Sequence, residues 1–134
     1  MQRLLLFISV ITSLISCTFT TTKSIDPIFS DTSTIRSELR RTISAENINL
    51  DGKQITTDGK LTTEMDINII NGKDVPTNEA EIKNLGKSIA EIIKNNLKNK
   101  DQFETYKVLF VSVVQTGFTT KRHWVGHVFN SKEL

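Results

Sequence analysis

Two segments with a helical spacing of apolar residues predict helices. Residues 32–43 place Ile35, Leu39 and Ile43 four apart among charged side chains, which indicates a short helix with one narrow apolar stripe. Residues 78–99 show the pattern over a longer span, with acidic residues at the start and lysines at the end, as the helix dipole favours. The apolar stripe of this longer helix consists of Ile82, Leu85, Ile89, Ile92, Ile93 and Leu97.

Alternating apolar and polar residues predict a strand over residues 61–69, where the apolar positions keep a strict period of two. Upstream lie two Asp-Gly pairs, Asp51-Gly52 and Asp58-Gly59, and such a pair between alternating segments is a strong hairpin signal. We favour the turn at Asp58-Gly59, because the longer alternating segment follows it. Asn71-Gly72 then ends the strand.

A run of apolar residues marks a more deeply buried strand at residues 105–115. Val108 to Val111 are apolar on both faces, as expected for a strand with neighbours on both sides. Gly117 predicts a turn, and residues 121–129 a last strand that carries the only tryptophan. The long helix is expected to pack on one face of the run, formed either by Leu109 and Val111 or by Val108 and Phe110.

These elements together predict an α+β fold with the order α-β-β-α-β-β. One apolar stripe per helix suits a two-layer sandwich, in which two helices cover a four-stranded, mostly antiparallel sheet. Residues 32–134 are expected to form this single domain, since 134 residues lie within the usual size of one domain.

The N-terminus follows a different pattern. Arg3 precedes an apolar run from Leu4 to Ile15, which as a helix would measure about 18 Å at ~1.5 Å per residue. This is too short to span a hydrocarbon core of roughly 30 Å, but it has the length and order of a secretory signal. The run ends in Leu14-Ile15-Ser16-Cys17, which resembles the lipobox of bacterial lipoproteins at all four positions.

The resemblance implies that residues 1–16 are a signal peptide, cleaved between Ser16 and Cys17, and that Cys17 carries lipid. Anchoring by several acyl chains is stable. Residues 17–31 would then be the lipidated cysteine and a polar, Thr-rich tether. In the enterobacterial sorting pattern an aspartate after the cysteine retains a lipoprotein in the inner membrane, so Thr18 favours the outer membrane, on the side that faces the periplasm.

Charge and composition exclude some classes of function. The chain has 17 basic and 15 acidic residues, a balance too even for a nucleic-acid footprint, which needs a clustered basic face. Its single cysteine cannot form an intramolecular disulfide. We therefore expect membrane contact through the N-terminal lipid and no nucleic-acid partner.

Candidate catalytic and metal-binding residues are few. His123 and His127 would share a face of the last strand, but about 13 Å apart at ~3.3 Å per residue, which is too far for one metal ion. The sequence has no Gly-x-Ser-x-Gly, no Ser-x-x-Lys and no phosphate-binding loop. Glu64 and Asp66 alternate with apolar residues, which indicates a solvated strand face. No catalytic residue, metal or cofactor is predicted.

The candidate contact residues for a ligand or partner are Arg122, His123 and Trp124, because Trp and Arg often anchor interfaces. The alternative for Trp124 is that it covers one end of the core. The turn at residues 116–121 and the loop at residues 72–77 are further candidates. The sequence favours a binding or accessory module of the envelope, with another envelope protein or cell-wall material as partner. The alternative is a small periplasmic enzyme with an unrecognised site.

Overall fold

The computed structural model describes residues 18–134, which form one mixed sheet covered on one face by two helices. The elements, in chain order, are β1 (Thr20–Ile25), α1 (Thr32–Thr42), β2 (Asn47–Thr57), β3 (Lys60–Ile70), α2 (Glu79–Asn96), β4 (Thr105–Thr116) and β5 (Thr119–Asn130). Two short 3-10 helices lie at Lys100–Gln102 and Ser131–Glu133. The α+β class and the two helices agree with the sequence analysis.

The strands are arranged in sequence order, β1-β2-β3-β4-β5, and all neighbours are antiparallel except β3 and β4. The parallel pair follows from the chain path, because α2 carries the chain back along the sheet before β4 begins. The prediction of a four-stranded sheet was wrong, because the sheet has five strands. From residue 32 onward the element order is the predicted α-β-β-α-β-β.

The additional strand is β1, which lies in the segment predicted to be a tether. It pairs antiparallel with residues 52–57 of β2 and forms one edge of the sheet. Its residues are almost all exposed, so it lacks the apolar alternation by which strands are detected in a sequence. Its threonines are β-branched and suit extended backbone. The polar segment between Cys17 and α1 is therefore partly structured.

Both helices begin at a side chain that caps the first turn. Asp31 accepts hydrogen bonds from the Ser33 backbone N–H at 2.9 Å and from the Thr34 hydroxyl at 2.5 Å. These bonds, that of Thr34 first, lower the pKa of the Asp31 carboxyl to about 2, because they stabilise its charged form. Asn78 caps α2 by accepting the Ala80 N–H at 2.9 Å.

The core lies between the helices and one face of the sheet, here called the helix face. Val108 and Phe110 point to this side, and Leu109 and Val111 are turned away from the helices. Of the two faces of β4 that the sequence left open, the one with Val108 and Phe110 therefore packs against the helices. The core residues are Met65, Ile67, Ile69, Ile82, Ile89, Ile93, Tyr106, Val108, Phe110 and Phe129, with Ile35 and Leu39 from α1. The opposite face, called the open face, is not covered by any helix among residues 18–134.

The β2–β3 turn is formed by Asp58-Gly59, as the sequence predicts. Both residues have positive φ, 49° and 79°, which matches the twist of a two-residue hairpin. The competing pair, Asp51-Gly52, lies inside β2. Gly52 is needed there for space, since a Cβ would lie 2.2 Å from the Ile25 carbonyl oxygen and 2.8 Å from the Phe103 ring.

Candidate binding surface

The hairpin of β4 and β5 extends beyond the rest of the sheet. The last β3–β4 pair is Ile70 with Val111, whereas β4 and β5 stay paired as far as Thr116 with Thr119. Residues 112–123 of this hairpin, here called the arm, therefore have only each other as strand neighbours. Residues with few buried neighbours are well placed to contact another molecule.

Asn71 fixes the root of the arm. Its N–H donates to the Val111 carbonyl at 2.8 Å, and its side-chain oxygen accepts the Val113 N–H at 2.7 Å. Its side-chain amide donates to Glu46 at 2.5 Å. The residue has a positive φ of 49°, which asparagine tolerates better than most residues. Asn71 thus extends the pairing of β3 with β4 by one step, and the arm projects from that point.

Exposed apolar side chains are concentrated on the hairpin of β4 and β5. Of the eight large exposed hydrophobic residues among residues 18–134, five belong to it. They are Val114, Phe118, Trp124, Val125 and Val128. Phe118 lies at the tip, beside Gly117, and its side chain is fully exposed. Val114 and Val125 lie on the helix face, and Trp124 and Val128 lie on the open face, so the hairpin exposes apolar groups on both of its sides.

The three predicted contact residues are all exposed but do not lie on one face. Trp124 pairs with Val111 and Arg122 with Val113, so both side chains lie on the open face. His123 pairs with Ser112 and lies on the helix face. The alternative in which Trp124 covers the end of the core is wrong, since Trp124 is 73% exposed and turned away from the helices.

His123 lines a cavity of about 230 Å³ at the root of the arm. Phe110 and Val125 form its apolar wall, and Gly72 and Val75 contribute from the loop between β3 and α2. His123 and this loop were predicted separately as candidates for ligand contact, and the fold brings them together. Trp124 lines the same cavity. The turn at residues 116–121 lies at the tip and does not line this cavity.

The hairpin is also distinctive in charge. Residues 105–130 contain Lys107, Lys121 and Arg122 but no aspartate or glutamate, although the chain as a whole is nearly balanced. The arm therefore presents aromatic and aliphatic side chains next to positive charge. Such a surface complements a partner that is apolar with an acidic rim.

A charged cluster lies on the open face, where sequence reasoning expected a solvated row of carboxylates. Lys53 forms an ion pair with Asp66 diagonally across β2 and β3, and Lys107 approaches Glu64 at 3.9 Å across β3 and β4. Asp66 is only 5% exposed, so the expectation was wrong for this residue. The alternating pattern of the sequence gives no sign of this burial or of the ion pair, because the partner Lys53 comes from another strand.

The cluster perturbs two of its members. Burial, followed by the neighbouring Asp66, raises the pKa of the Glu64 carboxyl. Burial disfavours the charged form of any carboxyl, and Asp66 disfavours a second negative charge beside its own. The hydrogen bond to Asp66 raises the pKa of the Lys53 ammonium. Perturbed carboxylates often mark active sites, but structural ion pairs perturb them as well. No residue of this cluster lines the cavity at the arm root, so the two features form no common cleft.

Two other side chains on the helix face have buried polar atoms. The Tyr106 hydroxyl and His127 Nε2 have no hydrogen-bond partner within residues 18–134. Burial, and then the charge of Asp101, raises the pKa of Tyr106 to about 12. The part of the chain that the structure describes holds no group of three or more His, Cys, Asp or Glu side chains suited to a metal ion. In the same part, none of the helices has the length and hydropathy required to cross a membrane.

The fold defines an α+β protein with two helices on a five-stranded mixed sheet. A family model described as SepCysE-like matches residues 3–120, which is most of the chain, so this protein belongs to the SepCysE-like family. The lipobox resemblance covers only the first 17 residues and identifies no domain family, whereas the family model extends to residue 120. The match ends within β5, before Arg122, His123 and Trp124. No curated protein and no solved structure matches the chain.

Proposed function

We propose that the protein is a lipid-anchored module of the bacterial envelope that binds a partner through the hairpin of β4 and β5, which includes the arm. The observation that carries this proposal is the concentration of exposed apolar side chains, including Phe118 and Trp124, on a hairpin that lacks acidic residues. A binding surface explains these features better than an active site does, because the perturbed carboxylates lie apart from the cavity at the arm root. The partner is another envelope protein or cell-wall material.

The anchor in this proposal is Cys17, which lies outside the described residues together with the signal segment 1–16. Its support is the lipobox pattern in the sequence. The chain after it is held close to the β2–β3 turn, because the Phe19 N–H donates to the Asp58 side chain and the Asp58 N–H donates to the Phe19 carbonyl, both at 3.1 Å. Only Thr18 and Phe19 separate Cys17 from β1, which would hold this end of the sheet near the bilayer.

The arm lies at the opposite end of the sheet from the proposed anchor. The path from one end to the other runs ten residues along β3, from Lys60 to Ile70, and five along β4, from Val111 to Thr116. At ~3.3 Å per residue this is a length of about 50 Å. An anchored molecule would therefore point Phe118 away from its own bilayer and into the periplasm if the anchor is in the outer membrane.

Site-specific photo-crosslinking in intact bacterial cells tests the binding role. A photoreactive amino acid in place of Phe118 or Trp124 should give discrete adducts with a recurring partner. Leu61 is the matched control, since it is exposed and apolar but lies at the end of the sheet near the proposed anchor. If position 61 gives the same adducts as position 118, or if positions 118 and 124 both give none, the hairpin of β4 and β5 is not the binding surface.

The lipid anchor is tested separately by metabolic labelling with a fatty-acid analogue. Cys17→Ala should abolish incorporation of the label, because the thiol is the acceptor of the diacylglycerol group in the lipobox pattern. Thr18→Ala, one residue further on, should keep it. Equal labelling of the wild-type and Cys17→Ala proteins would contradict lipidation at this residue. It would not affect the binding role, which the crosslinks test independently.

A further inference from the structure

A second cavity lies far from the arm, in a groove between α1 and the first half of β2. Its volume is about 450 Å³. The floor is apolar and consists of Ile35, Leu39, Ile43, Ile48 and Leu50. Arg36 and Arg40, one helical turn apart on α1, form its outer rim. The groove thus combines an apolar base with two cations on one side.

The other side of the groove is a free strand edge. β1 covers β2 only from Gly52 to Thr57, so residues 47–51 have no strand beside them on that edge within the described chain. The Ile48 N–H is satisfied locally, by the side-chain oxygen of its neighbour Asn47 at 2.9 Å, so a strand that paired with this N–H would replace that bond. An open edge presents unsatisfied backbone donors and acceptors, and a further strand satisfies them in regular order.

The charges beside the groove indicate which kind of peptide strand would bind there. The ion pairs found among residues 18–134 involve lysines only, so no carboxylate lies within ion-pair distance of Arg36 or Arg40. Glu46 is the one carboxylate that lines the groove, and it accepts a hydrogen bond from Asn71. Guanidinium groups bind carboxylates with two parallel hydrogen bonds, which makes an acidic ligand the natural complement.

We propose that this groove binds an extended acidic peptide segment, which adds as a strand to the free edge of β2. On the side of the bound segment that faces α1, apolar side chains would pack on the floor and carboxylates would reach Arg36 and Arg40, while the alternate side chains would point to the other face. A fatty acid would fit the floor and the arginines but would leave the backbone groups of the edge unsatisfied. The site is independent of the arm, so it does not rest on the binding role proposed above.

The test uses the full-length chain in lipid nanodiscs and a fluorescent synthetic peptide in which every second residue is Thr and the residues between them are Val and Glu in turn, so that Val and Glu share one face of the strand. Fluorescence anisotropy should report saturable binding, and hydrogen–deuterium exchange should slow in residues 47–51 of β2. A peptide with Lys in place of Glu should bind at least about tenfold more weakly. The same peptide N-methylated at alternate backbone nitrogens should not bind, because it cannot complete the strand pairing.

Two arginines of the same helix provide the matched variants. Arg36→Glu should weaken binding of the acidic peptide by about tenfold or more, whereas Arg36→Lys should keep most of it. Arg41→Glu makes the same change of charge on α1, but Arg41 does not line the groove, so its binding should stay close to that of the wild type. Circular dichroism of the variants shows whether each is folded.

Several results would overturn the proposal. Equal losses in Arg36→Glu and Arg41→Glu would mean a general attraction to a basic helix. Full binding of the N-methylated peptide would exclude strand addition, and displacement of the peptide by oleate with no protection of residues 47–51 would identify a lipid site. Protection of residues 47–51 that rises with protein concentration without peptide would mean that a second copy occupies the edge. No binding at millimolar peptide would exclude the site.

Discussion

The packing of α2 on the sheet can be tested at Ile89, the side chain in the middle of its apolar stripe. Ile89 is 0% exposed and belongs to the core cluster together with Ile67 and Val108 of the sheet. Ile89→Ala removes three carbon atoms from this site without adding a polar group. It therefore probes the contact between the two layers directly.

The expected loss of stability follows from the burial. Loss of the three carbons removes a transfer free energy of about 2.4 kcal/mol, at ~0.8 kcal/mol per buried methylene. A cavity that the neighbours fill only in part adds to this, so the free energy of unfolding should fall by roughly 2–5 kcal/mol. Ile92, which is half-buried one turn from the centre, should show a smaller loss when replaced by alanine.

Urea unfolding followed by far-ultraviolet circular dichroism measures these differences. Fluorescence of Trp124 is a poor probe, because that side chain is already exposed in the folded protein. Lys87→Ala is the control on the exposed side of α2, where the Lys87–Glu91 contact at 3.9 Å is worth at most about 0.5 kcal/mol. If Ile89→Ala were as mild as Lys87→Ala, α2 would not be packed on the sheet as described.

Three further predictions can be checked by the same unfolding measurements. Glu64→Gln should raise the free energy of unfolding at neutral pH, because the raised pKa of Glu64 means that the folded state disfavours its charged carboxyl. The gain should vanish below pH 4.5, the ordinary pKa of glutamate, where the carboxyl is protonated in both states. A constant gain at all pH values would contradict this explanation. Gly52→Ala should destabilise the protein, because the new Cβ would push β1 away from β2. Gly86→Ala should stabilise it by about 0.5–1 kcal/mol, since its Cβ meets the Phe129 ring at an ordinary 3.4 Å and alanine favours the helix. Equal effects of the two substitutions would mean that the close contact at Gly52 does not matter. Trp124→Ser should change stability by no more than about 0.5 kcal/mol, and a larger loss would mean that Trp124 supports the core.

The elements that the sequence predicted well have patterns that depend on local order alone. The stripes of α1 and α2 record one buried side of a helix, and the caps at Asp31 and Asn78 mark where each helix begins. The Asp58-Gly59 turn was also predictable, because its two positive φ angles select those residue types. In each case the residues that determine the element lie within a few positions of one another.

The features that were missed depend on partners distant in sequence. β1 is stabilised by backbone pairing with residues more than 25 positions away, and its exposed threonines give no apolar pattern. Asp66 is buried and forms its ion pair with Lys53 of another strand, 13 positions away. The groove beside α1 exists only because β1 ends its pairing at Gly52. Such pairings are set by the tertiary fold, which local patterns do not specify.

The direction of β4 has the largest consequence for the proposed function. The sequence predicted a mostly antiparallel sheet without a strand order, so it left the direction of β4 beside β3 open. If β4 ran antiparallel to β3, the tip at Phe118 would lie beside the β2–β3 turn, close to the proposed anchor. In the structure β4 runs parallel to β3, so the arm continues past Ile70 and projects from the far end of the sheet. The strand pairing that the sequence did not reveal therefore decides whether the arm faces the anchoring bilayer or the space beyond it. Crosslinks from position 118 to a periplasmic partner agree with the parallel arrangement, and crosslinks from that position to lipids of the anchoring membrane would contradict it.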